Sequence, residues 1–381
     1  MGGIYIKNLK VWRWLIAAVG VVGLTSFFII NDKLFNQEGA PDENGLLNVS
    51  TEGLVDETEN LQSAIDDTPE GGTLRVPPGE YMLSKNPDLT AVTAYGESHF
   101  ALKVSKPMTI IMDDVVFVTS ANDKYGVFWV YDTSDVHLQG GSLIGDEFPD
   151  NGTFISSIAV LLQDTQNSSV DGMYMKNHSQ GVHLHHSNNN TVRNVTTEFN
   201  FGSGIINFAS NFNLIESCDV RNSGDGHLSL YGVGENNRIV GCTVTEDREG
   251  YDYEQGITVE SEYYSTIENN TISGFYYGID IKNDAQGNVI DSNRTFNNKY
   301  NIAIRPGDDG ENLMTSSSDI QITNNIAVDP REGSSYGIYI GIGEGHEITG
   351  NTLNEGHLVI SDEEMEMEFM DQNTFVEGAG H

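Results

Sequence analysis

In the stretch Gly278-Ile279-Asp280-Ile281-Lys282, apolar residues alternate with polar ones, and related stretches return about every 23 residues along the chain. They begin at Gly181, Gly204, Gly256, Asn301 and Gly337. A fixed period of this size indicates a stacked repeat, in which each unit buries its apolar face against its neighbours. The repeat therefore decides the fold class of this 381-residue chain.

A second series of mostly small polar residues follows apolar positions at a similar spacing. Its members are Asn194, Cys218, Cys242, Asn270, Asn293, Asn325 and Asn351. Each period thus carries two short strand signals, joined by turns rich in Asn, Asp, Gly and Ser, without a 3.6-residue pattern. We predict an all-β, single-stranded, right-handed parallel β-helix (solenoid), its hand following that of parallel crossovers. Asn side chains at one turn position would hydrogen-bond to their copies in neighbouring coils.

One short helix is predicted where the repeat region starts. Asp56 offers an N-cap, and Leu61, Ala64 and Ile65 follow at helical spacing. Such a helix would cover the open first coil, whose unpaired edge and apolar interior otherwise invite aggregation.

Three segments carry a family resemblance. They are Asn60-Leu61-Gln62-Ser63-Ala64-Ile65-Asp66-Asp67, Glu70-Gly71-Gly72-Thr73-Leu74-Arg75-Val76-Pro77-Pro78-Gly79-Glu80-Tyr81 and Ser134-Asp135-Val136-His137-Leu138-Gln139-Gly140-Gly141-Ser142-Leu143. Together with the Asn-rich coils, they resemble pectate-lyase-like right-handed β-helix proteins over residues 55–375. The coils also resemble a carbohydrate-binding and sugar-hydrolase repeat family and NosD-like periplasmic proteins. This resemblance implies a polysaccharide or glycan partner, handled by a lyase, an epimerase or a glycoside hydrolase. The alternative that it implies is a non-catalytic glycan-binding scaffold or surface adhesin.

The N-terminal segment predicts a membrane anchor. Residues 14–30 form an uncharged apolar run of 17 residues, the lower limit for a transmembrane helix. Lys7, Lys10 and Arg13 precede this run, which places residues 1–13 in the cytoplasm and the solenoid outside the cell. A cleaved signal peptide is the alternative, and it would leave the protein secreted. We predict a linker at 31–50, the β-helix at 51–375 and a tail at 376–381.

The net charge of -37 comes from 56 acidic and 19 basic residues. A surface of this kind suits high salt, which screens the self-repulsion, and we interpret the chain as halophilic. The charge argues against nucleic acid, whose binding needs a basic face. Calcium is an alternative use of the carboxylates, although no EF-hand-like loop is present, and no other cofactor or metal site is predicted.

The two cysteines, Cys218 and Cys242, stand at equivalent positions in adjacent coils. Stacked coils lie about 4.8 Å apart, which is within the Cα range of a disulfide. The alternative is that both are small buried residues that replace Asn in the ladder.

Candidate site residues are those expected to project outward from the Gly-initiated strand, because alternate residues fill the interior. The chosen alternation puts Ile206 and Phe208 inside and Asn207 outside. The residues predicted to be catalytic are His183, His185, Tyr231, Glu260, Asp280, Lys282 and Arg305. Those predicted to bind substrate are Asn207, Ser229, Thr258, Tyr251 and Tyr253, the two tyrosines through stacking on sugar rings.

Two reaction types would use this set differently. Elimination or C5 epimerisation of a uronate needs a positive group, a base and a proton donor. Lys282 or Arg305 would be the positive group, His183 or His185 the base, and Tyr231 the donor.

Hydrolysis instead needs two carboxylates about 5–9 Å apart, which Glu260 and Asp280 on adjacent coils would supply. A structural alternative is that Glu260, Lys282 and Arg305 only form a cross-strand ion ladder. The segment Gly224-Asp225-Gly226-His227 is either a tight turn or part of a site.

Overall fold

The computed structural model describes residues 4–5, 53–120, 124–146, 157–250, 254–307, 316–331, 335–355, 358–360 and 369–377. Within these residues, the strands form three twelve-stranded sheets, which we call A, B and C, and a typical coil contributes one strand to each. Strands of consecutive coils pair in parallel and in register, so that Ile279 lies between Ile257 and Ile302. The chain is therefore a parallel β-solenoid, as the repeat predicts.

Sheet A contains Ile4–Tyr5, Gly72–Arg75, Met108–Ile111, Val136–Gln139, Ser169–Asp171, Thr191–Arg193, Leu214–Glu216, Arg238–Val240, Thr266–Glu268, Val289–Asp291, Gln321–Thr323 and Glu347–Thr349. Sheet B contains Gly79–Leu83, Val115–Thr119, Ser142–Ile144, Tyr174–Lys176, Thr196–Glu198, Asp219–Arg221, Thr243–Thr245, Thr271–Ser273, Arg294–Phe296, Ile326–Ala327, Thr352–Asn354 and Thr374–Val376. Sheet C contains Asn86–Thr93, Gly96–Val104, Gly126–Tyr131, Ile158–Gln163, Gln180–His185, Ile205–Phe208, Leu228–Tyr231, Gln255–Glu260, Tyr277–Lys282, Tyr300–Ile304, Tyr336–Ile340 and Leu358–Ile360.

The coil has three strands where the sequence pattern predicted two. A residue in the left-handed region splits one predicted strand signal into a sheet A strand and a sheet B strand, as at Asn194 with φ 53° and Asn269 with φ 57°. Asn adopts this conformation more readily than most residues because its short polar side chain bonds locally. The interpretation of Asn194 as a ladder member was wrong: it is exposed, and its Nδ2 donates to Asp171 Oδ1 at 3.0 Å.

Within each coil, the ladder residue directly follows the residue in the left-handed region, as Asn270 follows Asn269. The backbone N–H of Asn270 donates to Asn293 Oδ1 at 3.0 Å, that of Asn293 to Asn325 Oδ1 at 2.8 Å, and that of Asn325 to Asn351 Oδ1 at 2.9 Å. Inter-coil hydrogen bonding by Asn is thereby confirmed, and Asn373 continues it beyond Asn351 at 2.9 Å.

Cys218 and Cys242 occupy the same column as free, buried thiols. The Cys218 N–H donates to Cys242 Sγ at 3.4 Å, and the Cys242 N–H donates to Asn270 Oδ1 at 2.8 Å. These contacts favour the interpretation of the cysteines as small residues that replace Asn.

The predicted helix is confirmed at Thr58–Asp67, where Leu61 and Ile65 are buried against the core. Its N-cap position is Glu57 rather than Asp56, although Asp56 Oδ1 accepts the Thr58 N–H at 3.0 Å. No helix among the residues described is long and apolar enough to cross a membrane. The predicted anchor at 14–30 and the linker at 31–50 lie outside those residues.

The first coil carries an antiparallel hairpin, formed by Asn86–Thr93 and Gly96–Val104. Both strands belong to sheet C, and the turn that joins them lies over the outer face of that sheet. The Ala94 N–H donates to His185 Nε2 at 3.1 Å, and Gln163 Nε2 donates to the Val92 carbonyl at 2.9 Å. The hairpin therefore covers part of the face that the sequence predicted to be open.

Candidate functional site

The strand pairings of sheet C stack the candidate residues of successive coils in columns. Every candidate that these pairings cover lies in an outward column, with one exception. One outward column runs through His183, Ile206, Ser229, Thr258, Asp280, Ala303 and Tyr339, and a second runs through His185, Phe208, Tyr231, Glu260 and Lys282. Arg305 directly follows the Tyr300–Ile304 strand. Stacking thus gathers polar groups that are distant in sequence onto one face.

The exception is Asn207, which was predicted to face outward and lies in the interior column, paired with Leu184 and Leu230. Its buried amide is satisfied there, because Nδ2 donates to the Ser210 carbonyl at 3.1 Å and Oδ1 accepts from Asn213 Nδ2 at 2.8 Å. The register of the neighbouring coils therefore decides which way Asn207 faces, because a slip of one residue would move every side chain of the strand to the opposite face of the sheet. As a consequence, Asn207 cannot reach a ligand on the outer face.

The two residues that flank Asn207 on its strand, Ile206 and Phe208, are apolar and face outward instead. Ile206 is buried, and the partly buried Phe208 ring stacks on His185 at 5.2 Å and lies 6.1 Å from the ring of Tyr95 in the hairpin turn. Tyr95 also lies 6.5 Å from Tyr231. The hairpin thus forms one wall beside the polar columns.

A pocket of about 240 Å³ opens beside this wall. Its lining residues are Tyr95, Ser203, Ile206, Asp225, Gly226, Ser229, Tyr231, Gln255, Thr258, Glu260 and Lys282. Five of the predicted site residues are among them, namely Ser229, Tyr231, Thr258, Glu260 and Lys282. His183, His185, Asp280 and Arg305 do not line it, and Tyr251 and Tyr253 lie outside the described residues.

An ion network underlies the pocket. Asp280 is fully buried and accepts two hydrogen bonds from Arg305, Nε to Oδ1 at 2.7 Å and Nη2 to Oδ2 at 2.8 Å. Lys282 Nζ lies 3.7 Å from Asp280 and 3.5 Å from Glu260, whose other oxygen accepts from Asn283 Nδ2. The Glu260–Lys282 pair of the predicted ion ladder is present, and Arg305 joins it through Asp280, which the predicted ladder did not include. The side chains of Asp280 and Arg305 therefore bind each other.

The two histidines predicted to act as bases lie under the hairpin. His183 is fully buried and its ring packs edge-on against Tyr95 at 5.9 Å. Burial, followed by the charges of His185 and His186, holds the pKa of His183 well below its usual range. Burial likewise lowers the pKa of His185 to about 4, and its Nε2 accepts the Ala94 N–H. Both rings are therefore neutral, and the hairpin covers them: Tyr95 packs on His183, and Ala94 hydrogen-bonds to His185.

Asp225 is the pocket carboxyl that sequence reasoning left open between a site and a turn. The structure shows the turn, in which the Ser223 N–H donates to His227 Nε2 at 3.0 Å and His227 Nδ1 lies 2.9 Å from the Asp225 carbonyl oxygen; Asp225 also lines the pocket. This turn directs the Asp225 side chain into the pocket. Burial raises the pKa of the Asp225 carboxyl, against the opposing effects of the Gly226 N–H and of Lys282.

Glu254 is a second acidic group that the sequence analysis missed. Burial, followed by the charge of Asp225, raises the pKa of Glu254 to about 8. Its neighbour Gln255 lines the pocket. The sequence does not distinguish Glu254 from its neighbours, because Glu254 lies just before the strand Gln255–Glu260 in a segment rich in acidic residues.

Metal ligation has no geometric support in the part of the chain that the structure describes, where no group of three or more His, Cys, Asp or Glu side chains is arranged to hold an ion. What the pocket offers is acid–base chemistry: two carboxyls, Asp225 and Glu260, one ammonium group, Lys282, and the hydroxyls of Ser229 and Thr258.

Comparisons with known proteins agree with the fold. The family model described as periplasmic copper-binding protein (NosD) matches residues 144–329. A mannuronan C-5 epimerase A-module from Azotobacter vinelandii is 17% identical, with a TM-score of 0.51 over 89% of this chain and 98% of its own. A mutant tailspike protein of E. coli bacteriophage HK620, in complex with a pentasaccharide, is 15% identical, with a TM-score of 0.61 over 80% of this chain and 59% of its own.

None of the proteins of curated function matches the chain by sequence. At these identities, the structural likeness shows the fold alone. Together with the three parallel sheets, it shows that the chain has a parallel β-helix fold.

Proposed function

We propose that the chain is a glycoside hydrolase that binds a neutral polysaccharide in the pocket of sheet C. The observation that carries this proposal is the convergence of Asp225 and Glu260 on one pocket in different environments. Burial raises the pKa of Asp225, while the Glu260 carboxyl contacts Lys282 Nζ and accepts a hydrogen bond from Asn283 Nδ2. Two carboxyl groups whose environments differ in this way are what glycoside hydrolysis needs.

The roles follow from these environments. Protonated Asp225 donates its proton to the glycosidic oxygen as the bond from that oxygen to the anomeric carbon breaks. Glu260 assists attack on the anomeric carbon, either by removing a proton from water or as the nucleophile. Ser229 and Thr258 offer hydroxyls to the sugar, and Tyr95 and Tyr231 form an aromatic wall.

Electrostatics argues for a neutral substrate and against elimination or epimerisation of a uronate. The acidic groups in and around the pocket are Asp225, Glu254, Glu260 and Asp280, against Lys282 and Arg305. Arg305 is engaged by Asp280 at 2.7 Å, and Lys282 is shared between two carboxylates. A uronate carboxylate would have to compete with Asp280 and Glu260 for these two cations, whereas elimination or epimerisation needs a positive group that binds the uronate carboxylate.

The proposed location is outside the cytoplasm. The match to a periplasmic family supports export of the solenoid, and residues 14–30 would anchor it in the membrane. Bound calcium and adaptation to high salt are further parts of this proposal, and the acidic composition is their support.

The test is turnover by the full-length chain at molar salt on starch, xylan, galactomannan and β-glucan, with alginate and polygalacturonate in parallel. We expect new reducing ends from a neutral polymer, without the ultraviolet absorbance of an unsaturated product. Asp225→Asn and Glu260→Gln should each lower kcat/KM by about 10²- to 10⁴-fold. Activity should also fall as pH rises through the raised pKa of Asp225.

Glu268→Gln is the matched control, because Glu268 pairs with Arg238 on sheet A, away from the pocket. It should leave turnover unchanged. Unsaturated product from a uronate polymer, or full turnover by Asp225→Asn, would contradict the proposal. Binding of a neutral glycan without turnover would favour the non-catalytic scaffold.

A further inference from the structure

A patch of five tyrosines lies on the outer face of sheet C, further along the solenoid than the pocket. We call it the tyrosine patch, and its members are Tyr276, Tyr277, Tyr300, Tyr336 and Tyr339. The rings of Tyr277 and Tyr300 stack at 4.9 Å and 28°, and those of Tyr300 and Tyr336 stack at 5.1 Å and 27°. All five side chains are partly exposed.

The register of the coils makes this patch continuous with the pocket. Tyr277 pairs with Gln255, which lines the pocket, and with Tyr300, which in turn pairs with Tyr336. Tyr339 occupies the same outward column as Asp280. Since adjacent coils lie about 4.8 Å apart, the patch extends the pocket along the solenoid axis.

The patch also faces the same way as the pocket. The guanidinium carbon of Arg305 lies 4.5 Å from the centroid of the Tyr277 ring, and that guanidinium binds Asp280 on the outer face. Lys299 Nζ donates to the Tyr276 hydroxyl at 3.0 Å and lies 4.5 Å above its ring. These contacts fix the rings in place before any ligand arrives.

Stacked tyrosines also stabilise the fold, by about 0.5–1.5 kcal/mol per aromatic pair. Stability alone does not account for five partly exposed rings on one face, because an exposed cluster of aromatic side chains is typical of a binding surface. A flat ring with a hydroxyl suits a sugar ring in particular: the C–H face of the pyranose packs on the aromatic face, and its hydroxyls reach the phenol oxygen and water.

We propose that the tyrosine patch binds successive sugar units of the neutral polymer whose cleavage is proposed for the pocket, so this inference rests on the proposed function. The occupant is a polysaccharide rather than a protein, because the patch continues the pocket in the direction in which an extended chain would run. Its rings come from successive coils, at a spacing that repeats along the axis.

The experiment measures binding of four neutral hexasaccharides, from starch, cellulose, xylan and mannan, by calorimetry on the full-length chain. Tyr300→Leu keeps apolar volume without a flat ring and should raise Kd about tenfold for the hexasaccharide that binds, which corresponds to about 1.4 kcal/mol. Tyr300→Phe keeps the ring and should bind nearly as tightly as the parent. Tyr264→Leu is the control, since Tyr264 is 62% exposed and lies outside the patch.

Turnover of a short aryl glycoside, measured for Asp225→Asn and Tyr300→Leu, separates this proposal from the proposed function. If Asp225→Asn abolishes turnover while Tyr300→Leu binds hexasaccharide normally, the patch proposal is wrong and the hydrolase stands. If Tyr300→Leu weakens binding while Asp225→Asn keeps full turnover, the patch stands and the catalytic assignment fails. Failure of every hexasaccharide to bind the parent chain would overturn the patch proposal.

Discussion

Arg305 binds the carboxylate of Asp280, which lies one coil earlier, through two hydrogen bonds of 2.7 and 2.8 Å. Both side chains are buried on the outer face of sheet C. Since a buried pair leaves an uncompensated charge when one partner is removed, Asp280→Asn should lower the free energy of unfolding by about 3–5 kcal/mol. Thermal and chemical unfolding measure this loss.

A second inter-coil pair supplies the control. Arg193 Nη2 lies 2.8 Å from Asp171 Oδ2 on sheet A, where both side chains are partly exposed. Asp171→Asn should cost at most about 1 kcal/mol. Equal losses for the two variants would show that Asp280 is not held in a buried pair.

The ladder column gives a second prediction. Asn293→Ala removes the acceptor of the Asn270 N–H and the donor to the Ile267 carbonyl, at 3.0 and 2.8 Å. Each buried group left without a partner costs about 1–3 kcal/mol, so the Tm should fall clearly.

Cys242→Asn is the complementary change in the same column. The Oδ1 of the introduced Asn side chain would accept the Cys218 N–H, which in the parent donates to Cys242 Sγ at 3.4 Å. The Tm should therefore stay the same or rise. A large loss for this variant, or none for Asn293→Ala, would mean that the ladder does not stabilise the fold.

The repeat period predicted the solenoid and its parallel register, because stacking constrains every coil in the same way. It misplaced Asn207, whose polar side chain suggested the outer face, because a buried polar network satisfies it inside. The pocket was predicted in part, through Ser229, Tyr231, Thr258, Glu260 and Lys282. The covering hairpin was not predictable, since Tyr95 reaches its neighbours only through the tertiary fold.

A buried carboxyl makes stability depend on pH. Glu262 is fully buried, with Oε1 accepting from Asn237 Nδ2 and Ser265 Oγ at 2.6 Å each, and burial raises its pKa from 4.5 to about 7. The folded state therefore holds more protons than the unfolded state between these two values. Stability then falls as pH rises through this window, and levels off above it.

Glu262→Gln removes this titration while its Oε1 still accepts both hydrogen bonds. The variant should be more stable than the parent at pH 8, by an amount on the order of 1 kcal/mol or more, and should show little advantage near pH 4. Unfolding midpoints across this pH range check the prediction. A constant difference at all pH values would show that the Glu262 carboxyl does not carry the effect.

The hairpin over sheet C should loosen in acid. His185 accepts the Ala94 N–H at 3.1 Å only while its ring is neutral, and burial lowers its pKa from 6.5 to about 4. The unfolded or opened chain binds the extra proton more readily, so hairpin stability should fall as pH falls from about 6.5 toward 4. Hydrogen exchange at the Ala94 amide measures this opening.

His185→Gln is the matched variant, because its Oε1 accepts the same N–H and does not titrate in this range. Exchange in the variant should depend less on acid than in the parent, with the remaining dependence coming from His183, whose ring lies 5.5 Å from that of His185. Identical pH profiles would contradict the assignment of the opening to His185.

The central claim is that a neutral glycan occupies the pocket between Tyr95 and Lys282. The most direct measurement is a crystal structure of Glu260→Gln soaked with the hexasaccharide that binds most tightly, because this variant should hold the substrate without cleaving it. We predict a sugar unit within hydrogen-bond distance of Asp225 and further units on the tyrosine patch. Sugar bound only against sheet A or sheet B, with the pocket empty, would contradict the account.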